Sequence, residues 1–226
     1  MKSKLITLAA LSLAACAPNP GTVTLYSFSP ISAKCGSSDP GENSAAPGVL
    51  DIANGQAPNR VEYWIQVNLK LNTLTSGLST SSGQLLEEPN RENFVMDKMH
   101  LTYTLRKGSG APKLLPVSDD IAITAVVKPG SKVFIPANII GPKGSEALFK
   151  EIDPSTAGSP AAADTAELKV GVEVMGHLSG TNVPVTTGKN EFAIEVFMSN
   201  NCPNGYASVL FFCPFPGQDG TKPVCK

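Results

Sequence analysis

The chain has 226 residues, with 18 basic against 19 acidic side chains and a formal net charge of −1. That balance gives no electrostatic footprint for nucleic acid, and the aromatic residues, 6% of the chain, are too scattered to interleave with the basic ones. Charged residues are only 16%, while Gly and Pro number 20 and 19, which points to many turns and short strands rather than long helices.

The N-terminus opens with Lys2 and Lys4, continues with an apolar run Leu5–Ala15 and ends in Cys16. Charge, then an apolar stretch, then small residues is the physical design of a secretory signal. The run is about half the 20 residues that a spanning helix needs. Pro18 and Pro20 stop any helix from continuing. Leu13-Ala14-Ala15-Cys16 resembles the lipobox of bacterial lipoproteins. The resemblance implies a signal peptide over 1–15, cleavage before Cys16, and a diacylglycerol thioether plus an amide-linked acyl chain on that cysteine. More than one acyl chain gives stable anchoring. Ala17, where aspartate would retain the chain at the inner membrane, implies the outer membrane. An ordinary cleaved signal and a buried N-terminal helix are the competing readings. Agreement of charge, length, small residues and cysteine favours the lipobox. With no polybasic stretch visible, the lipid itself is expected to do the anchoring.

About 210 residues remain, enough for one large all-β domain with its own core. Residues 16–47 read as a lipidated N-terminus and a Pro/Gly/Ser-rich tether, with Thr22–Ser27 as one short strand inside it. The sandwich domain is expected over 48–226. In Val61–Leu71 every second residue is apolar, the clearest strand in the chain, with one face packed and one wet. Ser76–Gly83 reads as a long loop and Glu87–Asn93 as its polar continuation. Met99–Arg106 alternates in the same way. Ile121–Val127 is a strand stopped by Pro129-Gly130, and Val133–Ile135 a shorter one stopped by Pro136. Gly144–Ile152 is the best helical segment, with Ser145 as cap. Ser159–Glu167 is a short helix or a loop. Leu168–Val174 and Phe192–Val196 are strands, with a hairpin turn at Thr187-Gly188-Lys189-Asn190. Ser208–Phe212 is a last apolar strand, and the tail from Pro214 is irregular. The whole reads as an all-β, antiparallel β-sandwich with one or two short helices in loops, immunoglobulin-like topology being possible.

Besides Cys16 the exported chain keeps Cys35, Cys202, Cys213 and Cys225. An even number in an oxidising compartment reads as two disulfides. Three pairings are open; the expected one closes a local loop with Cys202–Cys213 and ties the ends with Cys35–Cys225. No Cys-x-x-Cys occurs and the two histidines are far apart, so neither a metal nor any cofactor is expected.

There is no Gly-x-Ser-x-Gly elbow and no His-Glu-x-x-His. Gly108-Ser109-Gly110 reads as a turn, not a phosphate cradle. His100 and His177 read as surface histidines. Asp119-Asp120 reads as a solvated pair at an element end, its two side chains on opposite faces; Glu87-Glu88 reads as solvated in its loop. Asp39, Glu42 and Asp51 lack the spacing of a calcium loop. Trp64 lies on the face opposite Tyr63 and Ile65, either covering an edge or packed under a loop.

The strand around Gln66-Val67-Asn68, the alternating run Val170–Gly176 and the Phe192-x-Ile194-x-Val196 strand leading into a Cys-rich end are similar to uncharacterised outer-membrane lipoproteins of myxobacteria and relatives. That resemblance implies an address and no activity. The expected function is a membrane-anchored, non-enzymatic envelope lipoprotein with a structural or protein-interaction role. Its partners would be the membrane, through lipid, and an envelope protein, without nucleic acid. The alternative is a glycan- or small-ligand-binding sandwich using Trp64 and Tyr103 as stacking faces.

Overall fold

The computed structural model describes residues 23–29, 31, 48–52, 61–72, 93–152, 166–180 and 182–197, and the backbone of five two-residue strands beyond these. Two sheets pack face to face. The smaller one has the order β1-β3-β8, from β1 (Val23–Ser29), β3 (Trp64–Leu71) and β8 (Lys132–Asn138), all antiparallel. The larger one has the order β12-β2-β10-β9-β6-β7. Its strands are β2 (Gly48–Asp51), β6 (Phe94–Lys107), β7 (Lys113–Val127), β9 (Ala166–Leu178), β10 (Pro184–Phe197) and β12 (Gln218–Asp219). Two small ladders, β4–β5 (Leu78–Ser79 with Leu85–Leu86) and β11–β13 (Tyr206–Ala207 with Val224–Cys225), complete the strands described. The fold is an all-β sandwich. Its described strands divide six and three with a parallel β2–β10 pair, where an immunoglobulin domain divides four and three.

The core forms where apolar rows of both sheets meet. Leu25, Phe28, Val67 and Leu69 come from the small sheet, and Leu101, Val172, Phe192 and Ile194 from the large one. Phe192 sits between Phe28 and Tyr63, with ring centroids 5.5 and 5.9 Å apart. Tilted pairs at this spacing contribute beyond their buried area. Asn190 donates to the Leu25 carbonyl at 3.0 Å and links the layers at one side.

Three strands change which parity faces the core, each at a bulge. In β1 the register shifts around Tyr26, so Val23 and Leu25 point inward before it and Phe28 after it. In β6 it shifts at Asp97, between buried Met96 and buried Met99. In β10 it shifts at Thr187-Gly188, where Gly188 has φ 72°, a conformation that only glycine adopts without cost. Thr187 fills the gap: its Oγ1 accepts from the Val174 amide at 3.1 Å.

Several expectations are corrected by this arrangement. The short strand expected at Thr22–Ser27 is β1, and it lies in the sandwich, with Val23 fully buried, rather than in a free tether. Pro136 does not stop β8, which runs through it to Asn138 with Pro136 opposite Gln66. Proline is tolerated there because β8 is an edge strand of its sheet. Thr187–Asn190 is a bulge within β10; the β9–β10 hairpin closes instead beyond Leu178, whose O accepts from Asn182 N at 2.9 Å and whose N donates to Val183 O at 3.1 Å. The tail after Pro214 supplies β12 to the large sheet. The second face of β3 is wet only toward its ends, where Trp64 is half-buried and Lys70 exposed, since Gln66 and Asn68 between them are fully buried. Burial is tolerated because their amides are paired: Gln66 Nε2 donates to Ser29 Oγ and Asn68 Oδ1, and Asn68 Nδ2 to Ser27 and Ser29 Oγ, all at 2.9–3.0 Å. Residues 208–212 lie outside the described set, as does 159–165 of the alanine-rich segment.

Thr187→Val keeps the volume of the bulge side chain but leaves the Val174 amide without its acceptor. It is expected to cost about 1–2 kcal/mol, read as a lower urea midpoint with an unchanged m-value.

Candidate functional site

A polar constellation centres on β7, where Asp119 and Asp120 are mid-strand rather than at an element end. Alternation sends them to opposite faces. Asp119 is 4% exposed and faces the core, while Asp120 is solvent-exposed.

Asp119 holds the start of the helix α1 (Pro142–Glu151). Its Oδ1 accepts from the Lys143 amide at 3.1 Å, and its Oδ2 from the Gly144 amide at 2.8 Å and the Tyr103 hydroxyl at 2.9 Å. Tyr103 Oη in turn accepts from the Gly141 amide at 2.9 Å. The helix's own N-cap, Gly141, has no side chain to offer. A carboxylate from a distant strand therefore satisfies the first-turn amides and sits at the positive end of the helix dipole. Gly144 is required by closeness: a Cβ there would overlap the Tyr103 ring. Ser145, expected as the cap, lies within the first turn; its Oγ accepts from the Val61 amide at 2.8 Å and ties α1 to the segment entering β3. Burial raises the Tyr103 phenol far above its ordinary value, so it stays a neutral donor.

The outward face carries charge. Asp120 lies 2.8 Å from Lys98 Nζ and 2.7 Å from His100 Nδ1. The Lys98 hydrogen bond first, then that of His100, holds the Asp120 carboxyl below the ordinary aspartate range. His100 is opposite Asp120 on one side and Glu173 on the other, and Glu173 is opposite Lys189. A row of charges thus crosses four strands. His177 pairs with the bulge residue Asp97 at 3.0 Å. Such cross-strand pairs hold register on a solvated face. Thr102 Oγ1 is buried without a hydrogen-bond partner beneath this face.

The other expected residues fall as follows. Tyr103 is 1% exposed and committed to the core, so it offers no stacking face to a glycan. Trp64 is half-buried, with Nε1 donating to Glu62 Oε2 at 2.9 Å. Asp51 is fully buried at the end of β2. Gly108-Ser109-Gly110 is the β6–β7 turn, with Gly110 N donating to Lys107 O at 2.8 Å. Cys16, Cys35, Cys202 and Cys213, like Asp39, Glu42 and Glu87-Glu88, lie outside the described residues. Of Cys225 only the backbone is described, paired with Tyr206. Among the described residues no three His, Cys, Asp or Glu side chains are grouped to hold a metal ion. Sequence reading missed Asp119 as a helix anchor. The signal was parity: Asp119 is in phase with Ile121, Ile123 and Ala125, on the core-facing side.

Compared with known proteins, the chain matches no protein-family model and no curated relative.

Asp119→Ala strips the acceptor from two amides and a buried hydroxyl and is expected to cost about 2–4 kcal/mol. Asp119→Asn should cost less. Urea unfolding of the two variants measures the difference. For Asp120, the pairing is present above the ordinary aspartate pKa and is lost as pH falls through the lowered folded value. NMR titration should place its midpoint below that of a free aspartate, and Lys98→Ala should move it back up.

Proposed function

We propose that the protein is an envelope lipoprotein, held at a membrane by lipid on Cys16, whose sandwich serves a structural or protein-interaction role and catalyses no reaction. The carrying observation is the lipobox-like Leu13–Cys16 followed so soon by a core strand. Only six residues separate Cys16 from Val23. At about 3.3–3.6 Å per residue they span at most about 25 Å. The spacer is therefore short, and the sandwich lies against the membrane surface rather than on a long stalk.

The end at which β1 begins supports that reading. Thr24, Lys70 and Lys132 are neighbours across β1, β3 and β8, and both lysines are exposed. Lys132 Nζ also lies 5.4 Å from the centre of the Tyr26 ring. Each lysine near an anionic surface contributes about 1 kcal/mol. Two of them orient a domain and leave the anchoring to lipid. The glycan-binding alternative is weakened by the burial of Tyr103.

Cys16→Ala should abolish incorporation of radioactive palmitate and release the protein from the membrane fraction. Unchanged labelling and retention would overturn the proposal.

A further inference from the structure

Among the described residues β7 has a hydrogen-bonded neighbour on one side only, β6. Its two halves differ. In the first half Pro116 interrupts the edge and α1 packs against the strand, fixed by Asp119. The second half, Ile121–Val127, contains no charge and no proline. Val126 is 49% exposed, Ala122 and Thr124 are exposed, and even the core-side Ile121, Ile123 and Ala125 are only half-buried. A long apolar edge lacking those guards is a template for another strand.

We propose that this edge pairs with the same edge of a second copy of the chain, antiparallel about a two-fold axis through Thr124. The charges choose the register. Centring on Thr124 places Asp120 opposite Lys128 of the other copy, twice by symmetry. Ala122 then faces Val126 and Thr124 faces itself on the outward side. Ile121 faces Val127 and Ile123 faces Ala125 on the core side. Among the described residues Lys128 is exposed and has no carboxylate partner. Centring one residue earlier sets Asp120 against Val126 and Asp119 against Val127. Centring one residue later sets Lys128 against Ala122. A register centred between two residues would place inward side chains opposite outward ones. Only the Thr124 register matches both charges and keeps the apolar rows continuous. The contact is isologous and closes as a dimer.

Thr124→Cys in the full chain tests the axis. Directly opposed strand residues have Cα atoms about 4.5–5.5 Å apart, within disulfide range. Mild oxidation should convert this variant to a disulfide-linked dimer that the unsubstituted chain does not form. Ala122→Cys alone should not cross-link, since the two copies would lie about 13 Å apart along the strands. Mixed Ala122→Cys and Val126→Cys chains should cross-link to each other. In sedimentation, Lys128→Asp should weaken the dimer about tenfold by setting carboxylates face to face, and Lys128→Arg, which keeps the charge, should leave it unchanged. A chain that sediments as a monomer up to millimolar concentration, or an Ala122→Cys variant that cross-links as readily as Thr124→Cys, would overturn the proposal.

Discussion

The placement of a single buried carboxylate sets the shape of the whole β7 side of the molecule. Asp119 reaches from the middle of an edge strand to the first turn of the helix α1, and Tyr103 of the neighbouring strand closes the node. Burying a carboxylate is costly unless its lone pairs are used. Here two amides and a hydroxyl use them, and the amides are those that a helix start leaves unpaired. The helix is thereby pinned over one half of β7. Among the described residues the other half keeps an uncovered edge as a direct consequence.

A similar economy explains the small sheet. Its central strand β3 presents apolar residues to the core and amides to the other face, and at Gln66 and Asn68 both faces are buried. The amides of Gln66 and Asn68 bond to each other and to two serines of β1. Such networks specify a partner strand, because only a strand offering hydroxyls at those positions satisfies them. β1 does so only after its bulge at Tyr26 has put Ser27 and Ser29 on that face. The bulge and the polar layer are one device.

Alternation in the sequence revealed the strands and hid their ends. Met99–Arg106 was visible because its parity is constant; Phe94 and Met96 belong to the same strand but lie in the opposite phase, across Asp97. The β10 bulge looks like a hairpin turn for the same reason, since Thr-Gly-Lys-Asn has turn composition and glycine supplies the positive φ that either feature needs. Residues 61–71 looked half-wet because glutamine and asparagine are polar, and polarity does not reveal a buried hydrogen-bond partner supplied by a strand some 40 positions away. Asp119 could have been placed inward by phase alone. That it anchors a helix could not, because its partners are backbone amides, which carry no sequence signature.

The proposed pairing and the proposed address constrain one another. A two-fold axis that crosses the large sheet keeps the two small sheets on the same side of the joined structure. β1 begins on that side in each copy, and the outward row Thr24, Lys70 and Lys132 faces the same way in both. The paired half of β7 is also the half nearest that end: its last residue, Val127, is opposite Phe94, and the turn after it bonds to Leu71, the partner of Val23. β1 itself packs over β10, three strands from β7 in the large sheet, so the two copies of Val23 lie at the same level but well to either side of the axis. A spacer of six residues is short, so two lipid anchors can enter one membrane only if their exits face it together. Pairing through β7 meets that condition by orientation, with the small sheets of both copies turned toward the surface and the charged face of the large sheet turned away from it.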